Sequence, residues 1–286
     1  MKNFICKGDT MIKTENLTYR YEDNTLALNN VNIDINVGNV IGILGANGSG
    51  KSTLFLNLVG ILKPTKGKVY FDNKEMKYDK KSLLKLRKSL GIVFQDPDKQ
   101  IFYSKVYDDI AFGPRNMGID KDGVATRVSN ALISVGAEGF KDKPVHFLSY
   151  GQKKRVSIAG ILAMDNDVIL FDEPTAGLDP NMTESVINIL KDISDKGKKV
   201  IISSHNMDLI YSLCDYAYIL DNGNIIAEDK IENIFLKEDI LQQAKLKEPW
   251  LVKLHKNMGI PLFRIEQDLY EYWRNNVENS SDRCKP

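Results

Sequence analysis

Long apolar runs are missing from this sequence of 286 residues. The longest, at residues 40–44 and 161–164, are far shorter than the roughly 18–20 apolar residues that a helix needs to cross a bilayer. Residues 1–10 also lack the apolar block of a secretory signal peptide, and they show no periodicity. We therefore expect a chain that stays in the cytosol, reaches a membrane only through a partner, and begins with a disordered tail at 1–10.

Cysteine and net charge are equally scarce. The three cysteines, Cys6, Cys214 and Cys284, are odd in number and widely separated, without the paired spacing of a metal site. We interpret them as reduced thiols. The formal net charge is +1, so the chain has no general positive field that would attract DNA or RNA. We expect no nucleic-acid partner.

Short apolar segments alternate with helical patterns through most of the chain. Segments typical of strands buried on both faces lie at 40–44, 91–94, 168–171 and 200–202. Helical patterns lie at 52–60, 124–135 and 181–195. This alternation predicts an α/β fold with a largely parallel sheet. Alternating residues also predict strands at 12–21 and 31–35, and Asp221, Asn222 and Gly223 predict a hairpin turn between 217–220 and 224–227.

A glycine-rich loop follows the buried strand at 40–44. It fits the pattern G-x-x-x-x-G-K-[ST] with Gly45, Ala46, Asn47, Gly48, Ser49, Gly50, Lys51 and Ser52. Between a strand and a helix, this spacing lets backbone N–H groups surround phosphates at a helix N-terminus. We expect ATP to bind here, with Lys51 on its β- and γ-phosphates and with Ser52, next to Thr53, on Mg²⁺. A plain glycine turn would not require the Lys-Ser pair.

Two carboxylates follow the buried strand at 168–171, at the edge of the sheet where open α/β folds bind ligands. We expect Asp172 to hold Mg²⁺, through water. We expect Glu173 to act as the general base that polarises the water attacking the γ-phosphate. The alternative is a charged pair that simply ends a core strand.

The segment Leu148-Ser-Tyr-Gly-Gln152 resembles the L-S-G-G-Q signature of the ATP-binding cassette (ABC) ATPases. Tyr150 replaces the first glycine. The resemblance implies that Ser149, Gly151 and Gln152 contact the ATP held by an opposite protomer. Taken alone, the segment is also a helix start with Ser149 as its N-cap.

Further positions resemble the same family in the same order along the chain. The resemblance implies that Tyr21 stacks on adenine, that Gln95 joins Mg²⁺ and the attacking water to a transmembrane partner, and that His205 senses the γ-phosphate. It also implies that residues 175–179, ending at Asp179, pass between two protomers.

Segments 93–102, 108–114 and 151–160 resemble the energy-coupling-factor importers of the cobalt/nickel branch. That resemblance implies a second ATPase subunit, either identical or a paralogue, beneath a transmembrane coupling subunit and a substrate-binding membrane subunit. It places the chain at the cytoplasmic face of the cell membrane as a peripheral protein. The implied cargo is a vitamin or a transition-metal ion, cobalt or nickel.

The implied fold is a P-loop NTPase of the ABC type. It combines a RecA-like α/β core, an antiparallel β subdomain, an inserted helical subdomain and a small helical extension. We expect the ATP-binding domain at 11–239, its helical subdomain at about 96–163, and a dimerisation module at 240–286.

Three alternatives remain. A soluble ABC ATPase acting on DNA or ribosomes would carry a long coiled coil or a second cassette, and this chain has one uninterrupted cassette. A nucleotide-binding scaffold without turnover would not need Glu173 and His205. An exporter subunit is the third alternative, and residues 96–100 favour import.

Overall fold

The computed structural model describes residues 11–275. The strands are β1 (Ile12–Arg20), β2 (Leu26–Val31), β3 (Val40–Leu44), β4 (Lys66–Phe71), β5 (Lys74–Glu75), β6 (Leu90–Val93), β7 (Val168–Asp172), β8 (Lys199–Ser203), β9 (Tyr216–Asp221) and β10 (Asn224–Lys230). The helices are α1 (Lys51–Leu58), α2 (Lys80–Ser89), α3 (Val106–Asn116), α4 (Lys121–Ser134), α5 (Tyr150–Leu162), α6 (Pro180–Asp195), α7 (Met207–Leu213), α8 (Ile231–Leu236), α9 (Glu238–Gln243), α10 (Trp250–Met258) and α11 (Glu266–Trp273).

A six-stranded sheet in the order β10-β9-β3-β8-β7-β6 forms the centre of the described chain. Only the pair β9–β10 is antiparallel; the other neighbours run parallel. Every residue of β3 and β7 is buried, because both faces of the sheet are covered. The carboxyl ends of β3, β7 and β8 therefore meet at one edge, where the loops that follow them come together. The predicted α/β class is confirmed.

A second, four-stranded antiparallel sheet has the order β2-β1-β4-β5. Our expectation of a strand at 31–35 was wrong, because β2 ends at Val31. The chain instead starts a short 3-10 helix at Ile35–Val37, where the Asp34 side chain accepts the N–H of Asn36 at 2.8 Å.

Helices α3, α4 and α5 lie between β6 and β7, within the range 96–163 that the sequence predicted to be mostly helical. Ser149 caps α5: its hydroxyl accepts the N–H of Gln152 at 3.3 Å, and the Gln152 side chain accepts the N–H of Ser149 at 3.0 Å. This reciprocal pair is a capping box. The signature motif therefore forms the N-terminus of α5, and the side chains of Ser149 and Gln152 fix its geometry.

The C-terminal helices pack onto the central core. Buried Leu251, Val252 and Leu269 join the same apolar cluster as β3 and β7. Arg264 donates to the carbonyls of Tyr211 at 2.8 Å and Cys214 at 2.6 Å, and it pairs with Glu232. The predicted division at 239/240 falls inside α9, so the extension is continuous with the core.

Residues 1–10, predicted as a tail, and 276–286 of the predicted extension lie outside the described residues. Between residues 11 and 275, none of the helices combines the length and the apolar character that crossing a membrane requires.

Candidate active site

The carboxyl edge of the central sheet holds a cavity of about 290 Å³. Five separate parts of the sequence contribute to it. Its lining residues are Tyr21, Thr25, Leu26, Ala27, Asn47, Gly48, Gly50, Lys51, Ser52, Thr53, Gln95, Asp172, Glu173 and His205. The structure thus brings together most of the residues that the sequence predicted for ATP and Mg²⁺.

The loop between β3 and α1 is shaped by glycines that no other residue can replace. Gly45 and Gly50 have φ values of +149° and +112°, which L side chains rarely adopt. A Cβ on Gly45 would lie 2.2 Å from the carbonyl oxygen of Leu220, and one on Gly50 would lie 2.6 Å from that of Ala27. The loop is therefore pressed against β9 and β2, with its turn facing the cavity.

Lys51 is buried at the first position of α1. Its ammonium donates to the carbonyl oxygens of Gly45 at 2.8 Å and Ala46 at 3.1 Å. Burial lowers the pKa of Lys51, while the carboxylates of Glu173 and Asp172 act in the opposite direction. Lys51 is thus held over the loop by neutral acceptors, which it can exchange for phosphate oxygens that bind a cation more strongly.

Asp172 and Glu173 leave the end of β7 in two different environments. The Ser203 hydroxyl donates to Oδ1 of Asp172 at 2.6 Å and accepts the N–H of Glu173 at 3.1 Å. Glu173 has a φ of +46°, an unusual value for a non-glycine residue, and it lines the cavity. Sequence reasoning missed Ser203, because only the pairing of Asp172 with Ser203 across β7 and β8 brings them together.

His205 bridges the glycine loop and the Glu173 carboxylate. Its backbone N–H donates to Oε2 of Glu173 at 3.1 Å. Its Nε2 lies 3.1 Å from Oε1 of Glu173 and 2.6 Å from Oδ1 of Asn47. Burial raises the pKa of Glu173, and the nearby His205 opposes that shift. Glu173 is consequently a stronger proton acceptor than an exposed glutamate.

Tyr21 also lines the cavity, with 39% of its surface exposed. Its hydroxyl shares a hydrogen bond of 2.9 Å with Thr53, and Tyr19 packs edge-on against it at 5.0 Å between ring centroids. An exposed ring fixed in this way offers a face on which a base can stack. The neighbouring residues 25–27 also line the cavity, and no motif in the sequence pointed to them.

Three oxygen-bearing side chains that could hold a divalent cation face the same cavity. They are the hydroxyl of Ser52, the amide of Gln95 and the carboxylate of Asp172. Mg²⁺ prefers oxygen ligands, and in proteins it usually takes a few from side chains and the rest from water and phosphate. The residues present therefore fit Mg²⁺.

The signature residues and Asp179 do not line this cavity. Ser149, Gly151 and Gln152 lie at the start of α5, while Asp179 caps α6 by accepting the N–H of Met182 at 2.9 Å. Of the predicted loop residues, Gly45, Ala46 and Ser49 do not line the cavity either. The other predicted residues form two groups, one around the cavity and one at two helix starts outside it.

Lys154 is a buried residue of α5 that sequence reasoning missed. Its ammonium donates to the backbone carbonyls of Phe94 at 2.9 Å and Gln95 at 2.8 Å. Burial lowers the pKa of Lys154 to about 8. The helix that starts with the signature is thereby attached to the backbone of a cavity residue.

Comparison with known proteins decides the family. Residues 28–176, just over half of the chain, match the family model of the ABC transporters. The chain is an ABC transporter ATPase. This confirms the resemblance read from the motifs and the ABC fold that it implied.

Similar proteins place this ABC ATPase in the predicted branch. The chain is 46% identical over 281 residues to an energy-coupling factor transporter ATP-binding protein, EcfA, of Methanocaldococcus jannaschii, covering 96% of the chain and 99% of that protein. It is 44% identical over 260 residues to a cobalt import ATP-binding protein, CbiO, of Salmonella paratyphi A, covering 91% and 96%. The solved structure of cbiO1 from Clostridium perfringens, described as part of the ABC transporter complex cbiONQ, has a TM-score of 0.73 and 43% identity, covering 88% and 100%.

Replacing Lys51 with alanine tests the phosphate loop of this ABC ATPase. Because a charge-assisted contact contributes about 1.5–3 kcal/mol, we expect Lys51→Ala to weaken ATP binding by roughly ten- to a hundredfold. Isothermal titration calorimetry measures the affinity. The matched control is Lys66→Ala, which removes an exposed lysine of β4 and should bind ATP like the unmodified chain. Equal affinities for both variants would refute the role of Lys51.

Proposed function

We propose that this chain binds ATP with Mg²⁺ in the cavity described above and hydrolyses it to power an energy-coupling-factor importer. The observation that carries the proposal is the grouping of Lys51, Glu173 and His205 around one cavity beside the glycine loop. A plain nucleotide scaffold needs the loop and the lysine, but it has no use for a buried carboxylate with a raised pKa.

In the proposed mechanism, each residue acts from the position described above. Lys51 leaves the carbonyls of Gly45 and Ala46 for phosphate oxygens, and the exposed ring of Tyr21 stacks on the adenine. Glu173 accepts the proton of the attacking water, while His205 holds that carboxylate against the loop. Ser52, Gln95 and Asp172 would hold Mg²⁺, which would supply positive charge beside the phosphates when bound.

A second protomer completes the site in this proposal. The signature of the same chain is not among the residues that line the cavity. The start of α5 combines a helix N-terminus with the Ser149 hydroxyl, an arrangement that suits a phosphate group. We propose that Ser149, Gly151 and Gln152 of a partner ATPase subunit cover the γ-phosphate, with Asp179 between the protomers. The partner is a second copy or a paralogue.

An aromatic patch supports contact with the transmembrane coupling subunit. Phe102, Tyr103 and Phe112 are exposed by 63%, 39% and 38%, and their ring centroids lie 4.7–5.8 Å apart. Phe102 and Tyr103 follow Gln95 by seven and eight residues, and we propose that a partner docked on the patch acts on the cavity through this stretch of chain. Solvent-exposed aromatic clusters of this kind mark interaction surfaces.

The chain would thus act at the cytoplasmic face of the membrane, with a separate substrate-binding membrane subunit selecting the cargo. Cobalt is the cargo that the name of one relative supports, and nickel and a vitamin are the alternatives.

The C-terminal extension also supports pairing. Large apolar side chains on its surface are exposed by 41–60%: Met258, Ile265, Tyr270 and Trp273. The other face of the extension is already packed against the core through Leu251 and Val252. We propose that the exposed face meets the second ATPase subunit.

Replacing Glu173 with glutamine tests the proposed base. Glutamine keeps the shape of the side chain but cannot accept the proton, so we expect Glu173→Gln to lose about 10²–10⁴-fold in turnover. ATP binding should persist, and the ATP-bound pair of subunits should accumulate. Phosphate release and analytical ultracentrifugation of the purified complex measure the two effects.

The matched control is Glu138→Gln, an exposed glutamate outside the cavity, which should hydrolyse ATP at the normal rate. Turnover at the unmodified rate in Glu173→Gln would contradict the assignment of the base.

Two substitutions on α11 test the role of the extension. Removing the residues after Asp239 would also delete the buried core residues Leu241 and Leu251, so surface changes are more selective. We expect the double variant Tyr270→Ser and Trp273→Ser to weaken pairing of the ATPase subunits by tenfold or more, since buried aromatics dominate interfaces. Sedimentation measures it. The control Leu84→Ser, exposed by 45% on α2, should pair normally. Equally tight pairing in both would contradict the proposed role.

A further inference from the structure

Tyr150 replaces a signature glycine, and its side chain reaches out of the motif to two other loops. Its hydroxyl donates to the backbone carbonyl of Gln95 at 3.2 Å. Its ring lies beside Gly177, where an added Cβ would be 3.2 Å from Cε1 of the tyrosine. Gln95 lines the nucleotide cavity, and Gly177 lies in the loop that ends at Asp179. One side chain thus contacts both neighbouring loops from within the signature.

The same carbonyl of Gln95 also accepts a hydrogen bond from Lys154, at 2.8 Å. Tyr150 and Lys154 are four residues apart on α5, so they project from the same face of the helix. Both donors keep their protons at neutral pH. Burial, and after it the carboxylates of Asp96 and Asp98, raise the pKa of Tyr150, while Lys154 is protonated below a pKa of about 8.

Further contacts attach the residues after Gln95 to α5. Lys153 pairs with Asp98 at 2.7 Å. The Gln100 side chain accepts the N–H of Phe94 at 3.0 Å and donates to the carbonyl of Ser157 at 3.0 Å. The segment 94–100 is therefore held by the first two turns of α5, and a displacement of one is transmitted to the other.

We infer that Tyr150 is a positioning residue that couples the two nucleotide sites of a pair, by tying the signature to the Gln95 segment of its own cavity. The inference rests on the proposed function, in which the signature meets the ATP of the other protomer. A nucleotide that moves Gln95 in one cavity then moves Ser149 and Gly151 at the other. Glycine at position 150 can provide neither the hydroxyl bond nor the ring contact with Gly177.

Removing only the hydroxyl tests this coupling. In the full importer complex, we expect Tyr150→Phe to lower kcat for ATP about two- to tenfold, the equivalent of one net hydrogen bond. The Hill coefficient for ATP should fall toward 1, while KM stays within about twofold. Tyr150→Gly, which also removes the ring, should have the larger effect. The matched control is Tyr70→Phe, which removes a hydroxyl bond of 2.7 Å to Glu15 on the antiparallel sheet and should change none of these values.

Hydrogen exchange of the nucleotide-free chain tests the contact without any turnover. Amides of segment 94–100 should exchange faster in Tyr150→Phe than in the unmodified chain, and Tyr70→Phe should leave them unchanged. Unchanged kcat and unchanged exchange would overturn the inference. A rise in KM that accounts for the loss of activity would also overturn it, since Tyr150 would then serve nucleotide binding. Failure of the proposed function is a separate result, seen as absence of ATP trapping in Glu173→Gln.

Discussion

Buried charge at the carboxyl edge of the central sheet is the constraint on which the site depends. Lys51, Asp172 and Glu173 are exposed by only 7%, 6% and 6%. Charges removed from water cost several kcal/mol each unless they are paired and hydrogen-bonded. The loop carbonyls satisfy Lys51, Ser203 satisfies Asp172, and His205 faces Glu173. These contacts satisfy the buried charges before the ligand binds, and Lys51 exchanges its loop carbonyls for phosphate oxygens when triphosphate arrives.

Most residues of the cavity could be predicted from the sequence because they lie at this edge of the sheet. A buried parallel strand is recognisable in the sequence as a short apolar run. A polar residue directly after such a run lies at the carboxyl edge of the sheet, where ligands bind. Asp172 follows the run at 168–171 directly, and Glu173 comes next; Lys51 begins the helix that the glycine loop joins to the run at 40–44. The hairpin turn at Asp221 to Gly223 was also predictable from the residue types. Asn222 and Gly223 both adopt the positive φ that the turn requires.

Contacts that depend on pairing between distant parts of the chain could not be predicted from the sequence. Ser203 reaches Asp172 only through the register of β7 with β8, and Lys154 reaches Gln95 only through the packing of α5 on segment 94–100. Strand β4 was not predicted, because its exposed lysines at 66 and 68 obscure the alternation of apolar and polar residues. At 31–35, alternation was present, but Asp34 used its side chain to begin a 3-10 helix instead.

The glycine loop lines the nucleotide cavity, whereas the signature of the same chain lies outside it. The proposed catalytic unit is therefore a pair of protomers. The most direct test is the structure of the assembled importer with Mg²⁺ and a non-hydrolysable ATP analogue. We expect Lys51 of this chain and the signature of the partner subunit on opposite sides of the same γ-phosphate. A γ-phosphate contacted only by this chain and open to solvent on its other side would contradict the account.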